Sequence, residues 1–209
     1  MSRPAVFLDR DGVLVEEVFY PETGEIEAPL RPEDVRLLPA AAAAARMLAQ
    51  AGYALVLLSN QAGYAKGKAS LRALWLVHQR FVALLAREGV TLDAVFYSYS
   101  HPDGIVPYFS GPSLERKPGP YNLIIAAAQL DLDLARSWLI GDRKTDLACA
   151  AAAGVRPILV ENAHNPVRRP ADVIGATDLA AAAAIVVERD RGDGGDVALS
   201  SSNARNTPV

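Results

Sequence analysis

Five short apolar runs punctuate the chain, at 5–9, 53–59, 94–99, 137–141 and 156–160. Each is nearly continuous in apolar residues, the pattern of strands covered on both faces. Between them, 39–51, 70–88, 119–130 and 145–153 are rich in Ala, Leu and Arg, which favour helix. Two of these segments close on glycine, at Gly89 and Gly154, where a helix end favours a left-handed residue. The alternation predicts an α/β protein built on a Rossmann-like, doubly wound parallel sheet with right-handed crossovers. Alanine runs at 40–45 and 180–184 read as plain helix.

Two stretches break the pattern. Residues 16–38 form a polar insertion containing Pro21, Gly24, Pro29 and Pro32, and 100–118 is dense in Pro, Gly and Ser. Long loops of this kind in a compact domain are usually functional. From 188 onward the hydrophobic period is lost, so a single domain is expected over 1–187 and a disordered tail over 188–209.

Composition narrows the function classes. With 51% hydrophobic and 22% charged residues, the chain matches an ordinary globular domain. A net charge of −3 argues against a broad nucleic-acid footprint or an anionic membrane surface. The single cysteine, Cys149, excludes an internal disulfide and a multi-cysteine metal site, and its alanine-rich setting reads as a buried helix position. Neither a signal peptide nor a transmembrane run is apparent, so a cytoplasmic location is expected.

In an open parallel sheet, ligands gather beyond the carboxyl ends of the strands. The first strand ends on Asp9-Arg10-Asp11-Gly12, the second on Ser59-Asn60-Gln61, and the fourth on Gly141-Asp142-Arg143-Lys144-Thr145-Asp146. The third leads through the 100–118 loop to Arg116-Lys117. Carboxylates converging on one rim require a countercharge, or repulsion would raise their pKa values. All-oxygen ligation points to a hard cation, most simply Mg²⁺, which usually shares its shell with water and substrate phosphate. Ser59, Asn60, Arg116 and Lys117 are donors suited to a phosphate. An aspartate can attack phosphorus as a nucleophile, while a second one moves the proton. Each segment alone could be a turn or a helix cap; their recurrence at successive strand ends favours an active site.

Together "DRDGV", "LLSN", Lys117 in "RKPGP" and "GDRKTD" resemble the four motifs of the haloacid dehalogenase (HAD) superfamily of phosphatases, over residues 5 to about 187. The resemblance implies Asp9 as nucleophile, Asp11 as general acid and base, and Lys117 as countercharge to nucleophile and phosphoryl group. Ser59 and the Asn60 amide would hold the phosphoryl group, with Gln61 beside them on the substrate side. Mg²⁺ would be held by Asp9, the Asp11 carbonyl and Asp142, with Asp146 nearby as an alternative ligand. Arg10 is expected to point away from the aspartate pair.

Within the superfamily, "DRDG", "SNQAGYAKGK" and "RKPGP" resemble the D-glycero-D-manno-heptose 1,7-bisphosphate phosphatases and the related histidinol-phosphate phosphatases. That group implies a capless site shaped by loops, here 12–30 and 100–118. Arg116 is the first choice for specificity, with Lys66 and Lys144 weaker candidates. Many members hold a structural zinc through cysteines in the third loop. Here those stretches read Ser98-Tyr99-Ser100-His101 and Ser113-Leu114-Glu115, and one histidine with one glutamate is too little for a tetrahedral site; no zinc is expected, and His101 reads as a loop residue. Val13 and Val15 also stand where other residues are common.

The expectation is therefore a Mg²⁺-dependent phosphomonoesterase acting as a monomer on a small phosphorylated sugar, a heptose 1,7-bisphosphate at its C7 phosphate. No nucleic-acid or membrane partner is expected. The alternatives are a histidinol-phosphate phosphatase, a nucleic-acid 3′-phosphatase and a non-catalytic binding module. The acidic balance counts against the nucleic-acid enzyme, and the presence of Asp9, Asp11 and Asp142 counts against a silent module.

Overall fold

The computed structural model describes residues 2–199, with side chains described as far as Asp190. Strands β1 (Ala5–Leu8), β4 (Ala54–Asn60), β5 (Ala94–Ser98), β6 (Trp138–Gly141), β7 (Arg156–Val160) and β8 (Ile174–Ala176) form a parallel sheet in the order β5-β4-β1-β6-β7-β8. The chain builds outward from β1 to β5 and then returns to the other side of β1 through β6. The switch in direction therefore lies between β1 and β6, where a doubly wound sheet opens its ligand crevice.

Alternate residues of each strand feed opposite faces. On one face Val6, Leu8, Leu55, Leu57, Trp138 and Ile140 pack with α1 (Ala41–Gln50), α2 (Leu71–Arg87) and α5 (Leu179–Leu199). On the other, Ala5, Phe7, Val56, Leu58 and Leu139 pack with α3 (Tyr121–Leu130) and α4 (Lys144–Ala153). Both faces are covered, which accounts for the near-continuous apolar runs. The alanine runs let α1 and α5 pack against each other, with Ala44, Ala45, Ala182 and Ala183 buried in that layer. Cys149 is buried in the opposite layer, and burial pushes its thiol up to about 12, as expected of an inert core residue.

The sheet agrees with the strand pattern in the sequence, apart from the short β8. Residues 16–38 are more ordered than a polar loop: β2 (Val18–Tyr20) and β3 (Glu25–Glu27) form an antiparallel hairpin, with Phe19 opposite Ile26. The Tyr20 hydroxyl anchors it, donating to Asp34 Oδ2 at 2.9 Å and accepting from the Leu30 amide at 2.7 Å. Helix α5 runs into the stretch read as a tail; residues 200–209 lie outside the described residues. Among the described residues no helix is long and apolar enough to cross a membrane.

Phe81 of α2 is fully buried against the sheet. Truncation to alanine removes its transfer energy and leaves a cavity, so Phe81→Ala is expected to cost about 3–5 kcal/mol in urea denaturation. An unchanged midpoint would contradict the placement of α2.

Candidate active site

The four polar strand ends meet around one ammonium group. Lys117 is buried, and its Nζ lies 3.0 Å from Asp9 Oδ2, 2.6 Å from Asp146 Oδ1 and 2.8 Å from the Leu58 carbonyl. A lysine has three N–H donors, and each has an acceptor here. Burial alone would lower the Lys117 pKa, but Asp146 and Asp9 outweigh it and raise the net value, so the charge is permanent. The Asn60 side chain fixes the backbone that carries it: Nδ2 donates to the Lys117 carbonyl at 3.0 Å, and Oδ1 accepts from the Lys117 amide at 3.1 Å.

Asp9 follows β1 directly, and its amide continues the sheet by donating to the Ile140 carbonyl at 3.0 Å. Asp142 follows β6, and Asp146 opens α4, where its Oδ2 accepts from the Arg143 amide at 2.9 Å. Two glycines allow the carboxylates this close. A Cβ on Gly12, which also has a φ of +80°, would lie 2.5 Å from Asp142 Oδ2, and one on Gly141 would collide with the Asp146 carboxyl group.

Carboxylate oxygens of Asp9, Asp142 and Asp146 lie within 4.8 Å of one another, the one such cluster of potential metal ligands among the described residues. Asp146 Oδ1 is paired with Lys117 at 2.6 Å, whereas Asp142 Oδ1 is buried with no hydrogen-bond donor and has Arg143 Nε no nearer than 3.7 Å. Burial, then the charge of Asp9, pushes Asp142 up to about 7. Burial also raises Asp146, to about 6, against the opposing pull of Lys117. An all-oxygen cluster short of positive charge, with one orphaned carboxylate oxygen, fits a hard divalent cation.

Comparison with known proteins identifies the family. A family model described as HAD-hydrolase-like matches residues 114–188. The D-glycero-D-manno-heptose-1,7-bisphosphate 7-phosphatase of Thermosynechococcus vestitus is 43% identical over 165 residues, which is 77% of this chain and 80% of that protein. The D-glycero-beta-D-manno-heptose-1,7-bisphosphate 7-phosphatase of Salmonella typhi is 34% identical, covering 82% of this chain and 87% of its own. The chain belongs to the heptose bisphosphate phosphatase family of the HAD superfamily. Its fold matches the crystal structure of the D,D-heptose 1,7-bisphosphate phosphatase from B. bronchiseptica complexed with magnesium and phosphate. The TM-score is 0.75 at 30% identity, over 89% of this chain and 99% of that one.

In this HAD phosphatase the charged rim opens into a cavity of about 680 Å³ bordered by Asp9, Asp11, Lys117, Arg116, Lys66 and His101, with Ile26 of the β2–β3 hairpin closing one side. Lys68 ties the hairpin to the loop after β4 through Glu25 and Glu27. The 100–118 loop docks on that same segment. Phe109 meets Tyr64 edge-on at 4.8 Å, and the Ala65 carbonyl accepts from the amides of Ile105 and Val106 at 2.7 and 3.2 Å. His101 Nδ1 accepts from the Asp103 amide at 3.0 Å. Arg116 is held by the Ser100 carbonyl at 3.0 Å while bordering the cavity, and burial lowers its pKa. Lys144 does not border the cavity.

Three placements differ from the expectation. Arg10 does not point away; it is fully buried, with Nε 2.9 Å from Asp11 Oδ1. Gln61 reaches the cavity edge but spends its side-chain amide on protein groups, namely Arg10, Asp11 and Ser59. The Asn60 side-chain amide serves the Lys117 backbone. Asn162 was missed altogether: its Nδ2 donates to Asp142 Oδ2 at 2.7 Å and to Glu17 Oε2 at 3.0 Å. It stands two positions beyond β7, so the strand-end rule would have marked it.

Removing the shared ammonium leaves Asp9 and Asp146 buried without a counterion. Lys117→Met is therefore expected to cost about 3–5 kcal/mol of stability in chemical denaturation. A variant as stable as the parent would show that the charge is not needed to hold the rim together.

Proposed function

We propose that this phosphatase hydrolyses the 7-phosphate of D-glycero-D-manno-heptose 1,7-bisphosphate, with Asp9 as nucleophile. The observation that carries the chemistry is the Lys117 ammonium shared between Asp9 and Asp146 at the mouth of a polar cavity. The substrate follows from the names of relatives that match most of the chain. Asp9 attacks phosphorus as the bond to the sugar oxygen breaks, and Asp11 gives that oxygen its proton. Asp11 then takes a proton from water, which attacks the aspartyl-phosphate, releasing phosphate and restoring Asp9. Ser59 donates to the phosphoryl oxygens, and Lys117 balances the charge that passes between Asp9 and the phosphoryl group.

Mg²⁺, present in the related B. bronchiseptica structure, would be held by Asp9, the Asp11 carbonyl and Asp142, with Asp146 alongside. When bound it offsets phosphate charge and orients the phosphoryl group. Arg116 is positioned to contact the far part of the substrate. The enzyme works as a cytoplasmic monomer on a small molecule, without zinc. The net charge of −3 favours a sugar phosphate over a nucleic-acid end.

Asp9→Asn is expected to abolish turnover while preserving the fold by circular dichroism; retained activity would remove Asp9 from the nucleophile role. Rates across heptose 1,7-bisphosphate, histidinol phosphate and a 3′-phosphorylated oligonucleotide are expected to rank the heptose first. A preference for either of the others would overturn the substrate assignment.

The raised carboxyl groups set a pH test. Asp142 near 7 and Asp146 near 6 bind protons more tightly in the metal-free fold than in the unfolded chain. The stability they contribute is present at low pH and is lost as pH rises through those values. The melting temperature in EDTA should therefore fall between about pH 5.5 and about pH 8, while the increment from Mg²⁺ grows, because the cation needs the ionised carboxylates. An increment equal at both pH values would contradict these ligands.

A further inference from the structure

Beside the ammonium cluster lies a second buried network, in which Arg10 and Gln61, used in no step above, contact Asp11 and Ser59. Arg10 Nε lies 2.9 Å from Asp11 Oδ1, and Arg10 Nη2 donates to Gln61 Oε1 at 2.7 Å. Gln61 Nε2 donates in turn to Asp11 Oδ2 at 2.6 Å and to Ser59 Oγ at 2.9 Å. Arg10, Asp11 and Gln61 thus close a ring in which both oxygens of Asp11 are held. All four residues are at most 6% exposed. The amide of Gln61 has one workable orientation: flipped, it would set its NH₂ against the guanidinium and its oxygen against the carboxylate.

The ring sits on three neighbouring strand ends. The Gln61 amide donates to the Ser98 carbonyl of β5 at 2.7 Å. Tyr97, paired in register with Ser59, lies under the Arg10 guanidinium at 5.6 Å and meets His78 Nδ1 through its hydroxyl at 3.1 Å. A guanidinium is charged at any working pH and carries its donors in a rigid fork. It suits the holding of a carboxylate and an amide oxygen together.

We infer that Arg10 and Gln61 are positioning residues that lock the Asp11 carboxyl group, each oxygen keeping a second lone pair on which the proton can be carried, for proton transfer to the leaving oxygen. The same Gln61 amide occupies Ser59 Oγ as a donor, which leaves the serine's own proton free to be given to the phosphoryl group. One side chain therefore couples the group that holds the phosphoryl oxygens to the group that protonates the leaving oxygen. Fixing both before substrate arrives removes an ordering cost from the barrier.

The inference rests on Asp11 being the acid, and leaving-group dependence tests both. A sugar alkoxide must be protonated as it departs, whereas p-nitrophenolate leaves without a proton. Gln61→Met keeps the shape and removes the hydrogen bonds; Arg10→Lys keeps the charge and loses the fork. Their kcat/KM values are measured for heptose 1,7-bisphosphate and p-nitrophenyl phosphate beside Asp11→Asn, with folding checked by circular dichroism. General acid catalysis is worth about 10²–10⁴-fold, so Asp11→Asn should lose far more on the sugar phosphate. Gln61→Met should follow, losing at least about tenfold more there than on the aryl ester. Equal losses on both esters in Gln61→Met, with Asp11→Asn still selective, would overturn the positioning role alone. An unselective Asp11→Asn would overturn the acid assignment and the positioning role with it. Arg10→Lys, if folded, should match Gln61→Met; a folded variant with parental kinetics would remove Arg10 from the device.

Discussion

A buried ammonium needs buried anions, and buried anions need the ammonium; the site depends on this mutual requirement at Lys117. Its three donors go to Asp9, Asp146 and the Leu58 carbonyl, so it joins the ends of β1 and β4 to the start of α4 through a single atom. Without it, two carboxylates would be stranded in the core, at a cost that removal of one partner makes large. Within the arrangement, Asp9 is held at the crevice beside the Lys117 ammonium, in position to act as a nucleophile. Asp142 remains the unsatisfied member, the feature through which a divalent cation completes the charge balance.

The fold contributes placement. Because alternate residues of β1 enter opposite helical layers, the strand is clamped on both faces up to Leu8, and Asp9 emerges with little freedom. Reversal of strand order between β1 and β6 leaves the crevice open where Asp9 and Asp142 emerge. Gly12 and Gly141 keep Cβ atoms out of the carboxylate cluster. The remaining walls are loops tied to one another by Lys68, Tyr64 and the Ala65 carbonyl. The 100–118 loop, which carries no cysteines, is thus held by packing and backbone hydrogen bonds.

Much of this was legible in the sequence, because strands covered on both faces leave continuous apolar runs and polar residues directly after them face the crevice. That logic predicted the convergence of Asp9, Asp11, Ser59, Lys117 and Asp142 on one rim, and the contacts bring them together there. It failed where the signal was short or distant. Strands β2, β3 and β8 have three residues each, too few for a period. Arg10 looked like an outward spacer because its partner Gln61 lies 51 positions away. Asn60 and Gln61, polar and next to Ser59, looked like substrate ligands. Their side chains serve the Lys117 backbone and the Asp11 carboxylate, a division of labour that only long-range contacts reveal.

The Lys117 cluster holds Asp9 ready to attack phosphorus. Quenching a single turnover in acid, reducing with borohydride and mapping peptides by mass spectrometry tests it directly, since reduction converts an aspartyl-phosphate to homoserine. Conversion is expected at position 9 and at no other aspartate. Product formation with Asp9 unmodified, or conversion at Asp11, Asp142 or Asp146 instead, would contradict it.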